Sequence, residues 1–99
     1  LQAIMIAKQS TKTALVTGGS SGISLCVVRM LLAEGFKVTI LDLHQGSLQS
    51  IDAGPDRLLF IPCDITDWKS VKAAFGQSYE QFGPLQVVVN GAGVYEPVC

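Results

Sequence analysis

The sequence predicts an α/β domain built on a doubly wound parallel sheet of about four strands. Three observations carry that expectation. Short apolar runs alternate with helical patterns, some of those runs are apolar at nearly every position, and a glycine cluster stands between the first run and the first helix. Such alternation implies crossover connections and parallel neighbouring strands. Such near-continuous runs suit strands buried on both faces.

Taken in order, the first strand covers Thr13–Thr17 and ends in glycines. Residues 23–34 follow as a helix that is apolar nearly all round, closed by Gly35 where a helix end favours a left-handed residue. A second strand over 37–41 is rich in β-branched residues. Residues 45–53 suggest a short, weak helix broken by Gly54-Pro55, and 57–61 form a third strand. Trp68, Val71, Phe75, Tyr79 and Phe82 then recur at helical steps, which gathers them on one face expected to lie in the core. Thr66 or Asp67 caps this helix and Gly83-Pro84 stops it. The fourth strand, 86–90, leads into Gly91-Ala92-Gly93.

Ninety-nine residues suffice for one domain, and neither a repeat nor a linker divides them. Charged residues make up 15% of the chain, against an average of about 25%, so much of the surface is expected to be covered. A net charge of −1 gives no basic field for nucleic acid or anionic lipid. The three cysteines form no CxxC pair and His44 is the only histidine, so no metal site is expected. Reduced thiols in a cytoplasmic protein are the simpler expectation. Residues 1–7 are apolar but too few to span a bilayer, and no basic lead-in marks them as a signal peptide.

The chemistry is concentrated in Thr17-Gly18-Gly19-Ser20-Ser21-Gly22-Ile23-Ser24, between first strand and first helix. Glycines there let the backbone turn sharply and approach a pyrophosphate. The helix start offers unpaired N–H groups and a positive dipole end, and Ser20 and Ser21 add hydroxyls. Asp42 follows Gly22 by about 20 positions, the offset at which an acidic side chain meets the ribose hydroxyls of NAD. A carboxylate there repels the 2′-phosphate of NADP, and neither Leu43 nor His44 supplies a fixed positive charge for it. NAD is the expected cofactor, in a Rossmann-type arrangement with strand order 3-2-1-4.

From about Lys12 to Glu96 the chain resembles the short-chain dehydrogenases/reductases. Their Thr-Gly-x-x-x-Gly-x-Gly loop is similar to residues 17–24, and their Asn-Asn-Ala-Gly turn to Asn90-Gly91-Ala92-Gly93. Their aspartate after the third strand is similar in position to Asp64, beside Ile65. The resemblance implies that Gly18, Ser20, Ser21, Gly22 and Ile23 hold the diphosphate end. It implies further that Asp64 and Ile65 lie near the adenine and that Asn90, Ala92 and Gly93 line the cofactor. The alternative role for Asp64 is a cap for the segment 67–82. Two positions depart from the family pattern: Ser24 replaces the last loop glycine, expected to allow tight helix–strand packing, and Gly91 replaces the second asparagine.

In that family a tyrosine, with a lysine four residues on, exchanges a proton with the substrate oxygen while a serine orients it. Tyr79 is followed at that spacing by Gly83 and Tyr95 by Cys99, so neither fits. The expectation is a single NAD(P)-binding domain over 1–99, cut before its catalytic half, with 1–11 as an extension. The whole protein would pass hydride between NAD and a small-molecule alcohol or ketone. The alternatives are a nucleotide-binding module without turnover and an inactive homologue. The fourth strand is expected to be a bare apolar edge, inviting a homo-oligomer or edge-strand association.

Overall fold

The computed structural model describes residues 2–6, 12–18 and 22–91. Five strands form one sheet: β1 (Gln2–Ile6), β2 (Thr13–Thr17), β3 (Lys37–Asp42), β4 (Leu58–Pro62) and β5 (Val87–Asn90). Their spatial order is β1-β5-β2-β3-β4. The four strands β4-β3-β2-β5 are parallel, which is the 3-2-1-4 order expected from the sequence. Helix α1 (Gly22–Ala33) joins β2 to β3, and α2 (Trp68–Phe82) joins β4 to β5. The weak helix expected near 45–53 is a single short 3-10 segment, Gly46–Ser50, anchored by buried Leu48.

Strand pleating divides the core in two. Val16, Val38, Ile40 and Val89 pack with Val28 of α1 on one face. Leu15, Leu41 and Ile61 pack with Ala74 of α2 on the other. Alternate residues point to opposite faces, so a strand buried on both sides is apolar at nearly every position, and a polar one such as Thr39 of β3 is buried too. Cys63 and Leu59 extend the second cluster.

The C-terminal end of α1 is closed by groups from elsewhere in the chain. Gly35 takes a φ of 88°, Lys12 Nζ donates to the Glu34 carbonyl at 3.1 Å, and the Arg57 guanidinium donates to the Leu32 and Phe36 carbonyls at 2.6 and 3.0 Å. Carbonyls left over at a helix end attract cations in this way.

Two expectations need correction. Residues 2–6 are not an extension outside the sheet: β1 lies antiparallel on β5, pairing Gln2 with Asn90 and Ile6 with Val87, with an irregularity between Ala3 and Met5. The fourth strand is therefore not a bare edge. Deleting residues 1–11 is expected to uncover Val87–Asn90 and to increase association of the chain. Sedimentation of the deleted and intact chains at equal concentration checks this, and identical behaviour would count against it.

The second correction concerns α2. Its buried positions are Ala74, Ser78 and Phe82, with Val71 and Phe75 half-buried, while Trp68 and Tyr79 are 72% and 62% exposed. Small Ala74 and Ser78 let the helix approach the sheet, and Tyr79 is turned about 100° from Ser78 round the axis. Ser78 and Thr39 of β3 share a buried hydroxyl–hydroxyl bond of 2.7 Å. Ser78→Ala leaves the Thr39 hydroxyl buried alone and is expected to cost about 1–3 kcal/mol, whereas Thr39→Val with Ser78→Ala together should be close to neutral. Urea unfolding of both variants measures the difference. Asp67 caps α2, its side chain accepting from the Lys69 N–H, which settles the choice between Thr66 and Asp67.

Candidate functional site

All four parallel strands end on the same edge of the sheet, and the residues singled out in the sequence gather there. Thr17 pairs with Leu41 on one side and Asn90 on the other. The Gly18 N–H donates to the Leu41 carbonyl at 2.7 Å, which sets Gly18 beside the strand end that carries Asp42. On the other flank the Gly91 N–H donates to the Thr17 carbonyl at 3.0 Å, and the Thr17 hydroxyl donates to Asn90 Oδ1 at 2.9 Å. One strand further out, the Cys63 N–H donates to the Asp42 carbonyl at 3.0 Å, bringing Asp64 and Ile65 to the same edge. Pro62 ends β4 on the outer margin, where its missing N–H costs no ladder bond.

The chain leaves β2 for α1 and β3 on one side, and returns through α2 to β5 on the other. The boundary between β2 and β5 is thus a topological switch point, the place where open α/β sheets leave a crevice at the carboxyl ends of their strands. The N-terminus of α1 opens onto it. Gly18 and Gly22 have φ of 68° and 65°, in the left-handed region that favours glycine. A β-carbon built at Gly22 would meet nothing within 4 Å, so its left-handed φ and not crowding is what favours glycine there. Ile23, the next residue, is exposed.

The two carboxylates are held differently. Asp42 Oδ1 accepts the Leu43 N–H at 2.7 Å, fixing the side chain at the end of β3. Asp64 is exposed and does not cap α2; its Oδ1 accepts both the Thr66 hydroxyl at 2.6 Å and the Thr66 N–H at 3.0 Å. The Thr66 hydroxyl first, then its N–H, hold the Asp64 carboxyl below the ordinary aspartate range. Both bonds are present above that ordinary range and are lost as pH falls through the lowered value.

Gly18, Gly22, Ile23, Asp42, Asp64, Ile65 and Asn90 thus share one end of the sheet. Ser20, Ser21, Ala92 and Gly93 lie outside the described residues. Thr17, the first residue of the glycine loop singled out in the sequence, ties β2 to β5 through its carbonyl and hydroxyl, a role that the motif alone did not assign to it. Among the described residues no helix is long and apolar enough to cross a membrane.

A glycine-opened helix start at the switch point of a parallel sheet, flanked by a strand-end carboxylate, defines a nucleotide-binding type of α/β protein. The family model for short chain dehydrogenase matches residues 12–98, and the chain belongs to that family. It is 41% identical over 90 residues to a 3-beta-hydroxysteroid dehydrogenase from Comamonas testosteroni, covering 87% of this chain and 34% of that protein. Among solved structures it is similar to a 3-ketoacyl-(acyl-carrier-protein) reductase from Brucella melitensis complexed with NADH. That likeness has a TM-score of 0.66 and 30% identity, and covers 75% of this chain and 31% of the other. A blue fluorescent protein from a metagenomic library, in complex with NADPH, superposes with a TM-score of 0.73 at 35% identity, covering 86% and 37%. The chain spans about a third of the length of the curated relatives it matches.

Proposed function

We propose that this chain is the NAD-holding portion of an oxidoreductase that acts on a small-molecule alcohol or ketone. The observation that carries the proposal is the adjacency of Gly18 and the end of β3. The Gly18–Leu41 bond brings Gly18 next to the strand end that carries Asp42, which supports a grip on both ends of an adenosine diphosphate. The N–H groups at the start of α1, with Gly18, Gly22 and Ile23, receive the diphosphate, joined by Ser20 and Ser21. Asp42 accepts from the ribose hydroxyls and disfavours a 2′-phosphate. Asp64 and Ile65 border the adenine, and Asn90, Ala92 and Gly93 line the nicotinamide side. Asp64 Oδ1 is already engaged by Thr66, which favours its other oxygen for that contact.

NAD, when bound, takes or gives a hydride at its nicotinamide ring. This chain's residues bind and orient it. Neither Tyr79 nor Tyr95 has a lysine four positions on, so we assign no proton transfer to either, and the 99 residues alone are expected to bind without turnover. Residues 1–99 belong to one nucleotide-binding domain of a cytoplasmic protein, a location in keeping with the free thiols of Cys26 and Cys63. Titration of the chain with NADH and with NADPH, followed by nicotinamide fluorescence, tests the cofactor. Saturable binding that favours NADH is expected; a preference for NADPH would overturn the role of Asp42.

A further inference from the structure

We infer that Ser24 and Gly91 are a matched pair, the glycine supplying the volume that the serine side chain fills, and that together they set the start of α1 over the strand ends. These are the two positions at which the sequence departs from its family's pattern, and they are in contact. A β-carbon built at Gly91 would overlap Ser24 Oγ and would stand 3.1 Å from Ser24 Cβ and 2.8 Å from the Thr17 carbonyl oxygen. Ser24 is the third residue of α1 and is buried, with 6% of its surface exposed; Gly91 is buried directly after β5.

Gly91 does not have a positive φ, so glycine is needed there for its missing side chain and not for backbone freedom. Its N–H is committed to Thr17, which fixes it against β2 and prevents it from simply backing away. A serine in the first turn of α1 would ordinarily push the helix off the strands, the reason a glycine is expected there. Here the room is found across the crevice. Each departure alone would damage the site, and the two together restore close packing between the helix start, Thr17 and Asn90. Ser24 is in this sense a positioning residue: its side chain is buried against Gly91, and it acts through the helix N-terminus. The consequence for binding rests on the NAD-holding role proposed above; the pairing itself does not.

A double-mutant cycle on the 99-residue chain tests both parts, using Ser24→Gly, Gly91→Ala and the combination. Thermal midpoints without nucleotide read the pairing, and NADH affinity reads its effect on the site. With Ser24 present, Gly91→Ala is expected to lower the midpoint by about 10 °C, as overpacking of a small domain does. In the Ser24→Gly background the same step should cost less than half as much, the remainder being the contact with the Thr17 carbonyl. NADH affinity should fall about tenfold in Gly91→Ala and recover to within roughly threefold of the Ser24→Gly variant in the combination. If Gly91→Ala does not fold, recovery of a cooperative transition on adding Ser24→Gly is the expected rescue. Equal costs in the two backgrounds would overturn the pairing, since independent sites add. So would failure of both alanine variants to fold. Coupled midpoints with no NADH binding in any variant, the parent included, would leave the pairing standing and sink the NAD-holding role.

Discussion

Asp42→Ala is expected to weaken NADH binding roughly 10- to 100-fold, because hydrogen bonds to a charged acceptor contribute about 1.5–3 kcal/mol. NADPH binding should hold or improve, since a carboxylate facing the 2′-phosphate is removed. The two effects multiply in the preference ratio, which makes this the largest functional change expected of any single substitution. Asp42→Asn is the informative control. It keeps an oxygen that can accept the Leu43 N–H, now at 2.7 Å, and so preserves the turn at the end of β3. It removes the charge and turns the second carboxylate oxygen into an NH2 donor. If the charge discriminates between the cofactors, Asn should relax the preference nearly as far as Ala does, with a smaller loss of NADH affinity. Parallel titrations of the three proteins separate the contributions.

The largest effect on stability is expected from Ile40→Ala. Ile40 is fully buried in the interior strand β3, in the cluster that joins Val16, Val28, Val38 and Val89. Truncating it removes buried methyl groups and leaves a cavity beneath α1, at a cost of about 2–5 kcal/mol. Domains of this size are stable by roughly 5–15 kcal/mol, so a large part of the total is lost. A fall in thermal midpoint on the order of 15–25 °C follows for a chain this short. Met30→Ala, on the exposed side of α1, is the matched control and should move the midpoint little. Calorimetry of the pair decides it: similar losses at both positions would mean that the sheet is not packed as described.

Much of the fold and site was legible in the sequence because its signals are local. The strand over Thr13–Thr17, the glycines after it and the aspartate ending the next strand are read within short windows, and each lies where the spacing placed it. What was not legible depends on distant partners. Nothing around Gln2–Ile6 marks it as a strand to be paired antiparallel with residues more than eighty positions later. Periodicity grouped Trp68 and Tyr79 with Phe82, yet the face that meets the sheet is centred on small Ala74 and Ser78, which a hydrophobic count overlooks. Ser24 and Gly91 were visible as two separate departures; that one makes room for the other emerges only when β2 and β5 lie side by side.

The most direct measurement is an amide NMR titration of the isotopically labelled chain with NADH. If the helix start and the end of β3 hold the two ends of an adenosine diphosphate, the amides of Gly18, Gly22, Ile23, Asp42 and Leu43 shift together with one dissociation constant, while those of α2's exposed face stay still. Saturable shifts confined to another face of the sheet, or none at millimolar NADH, would contradict it.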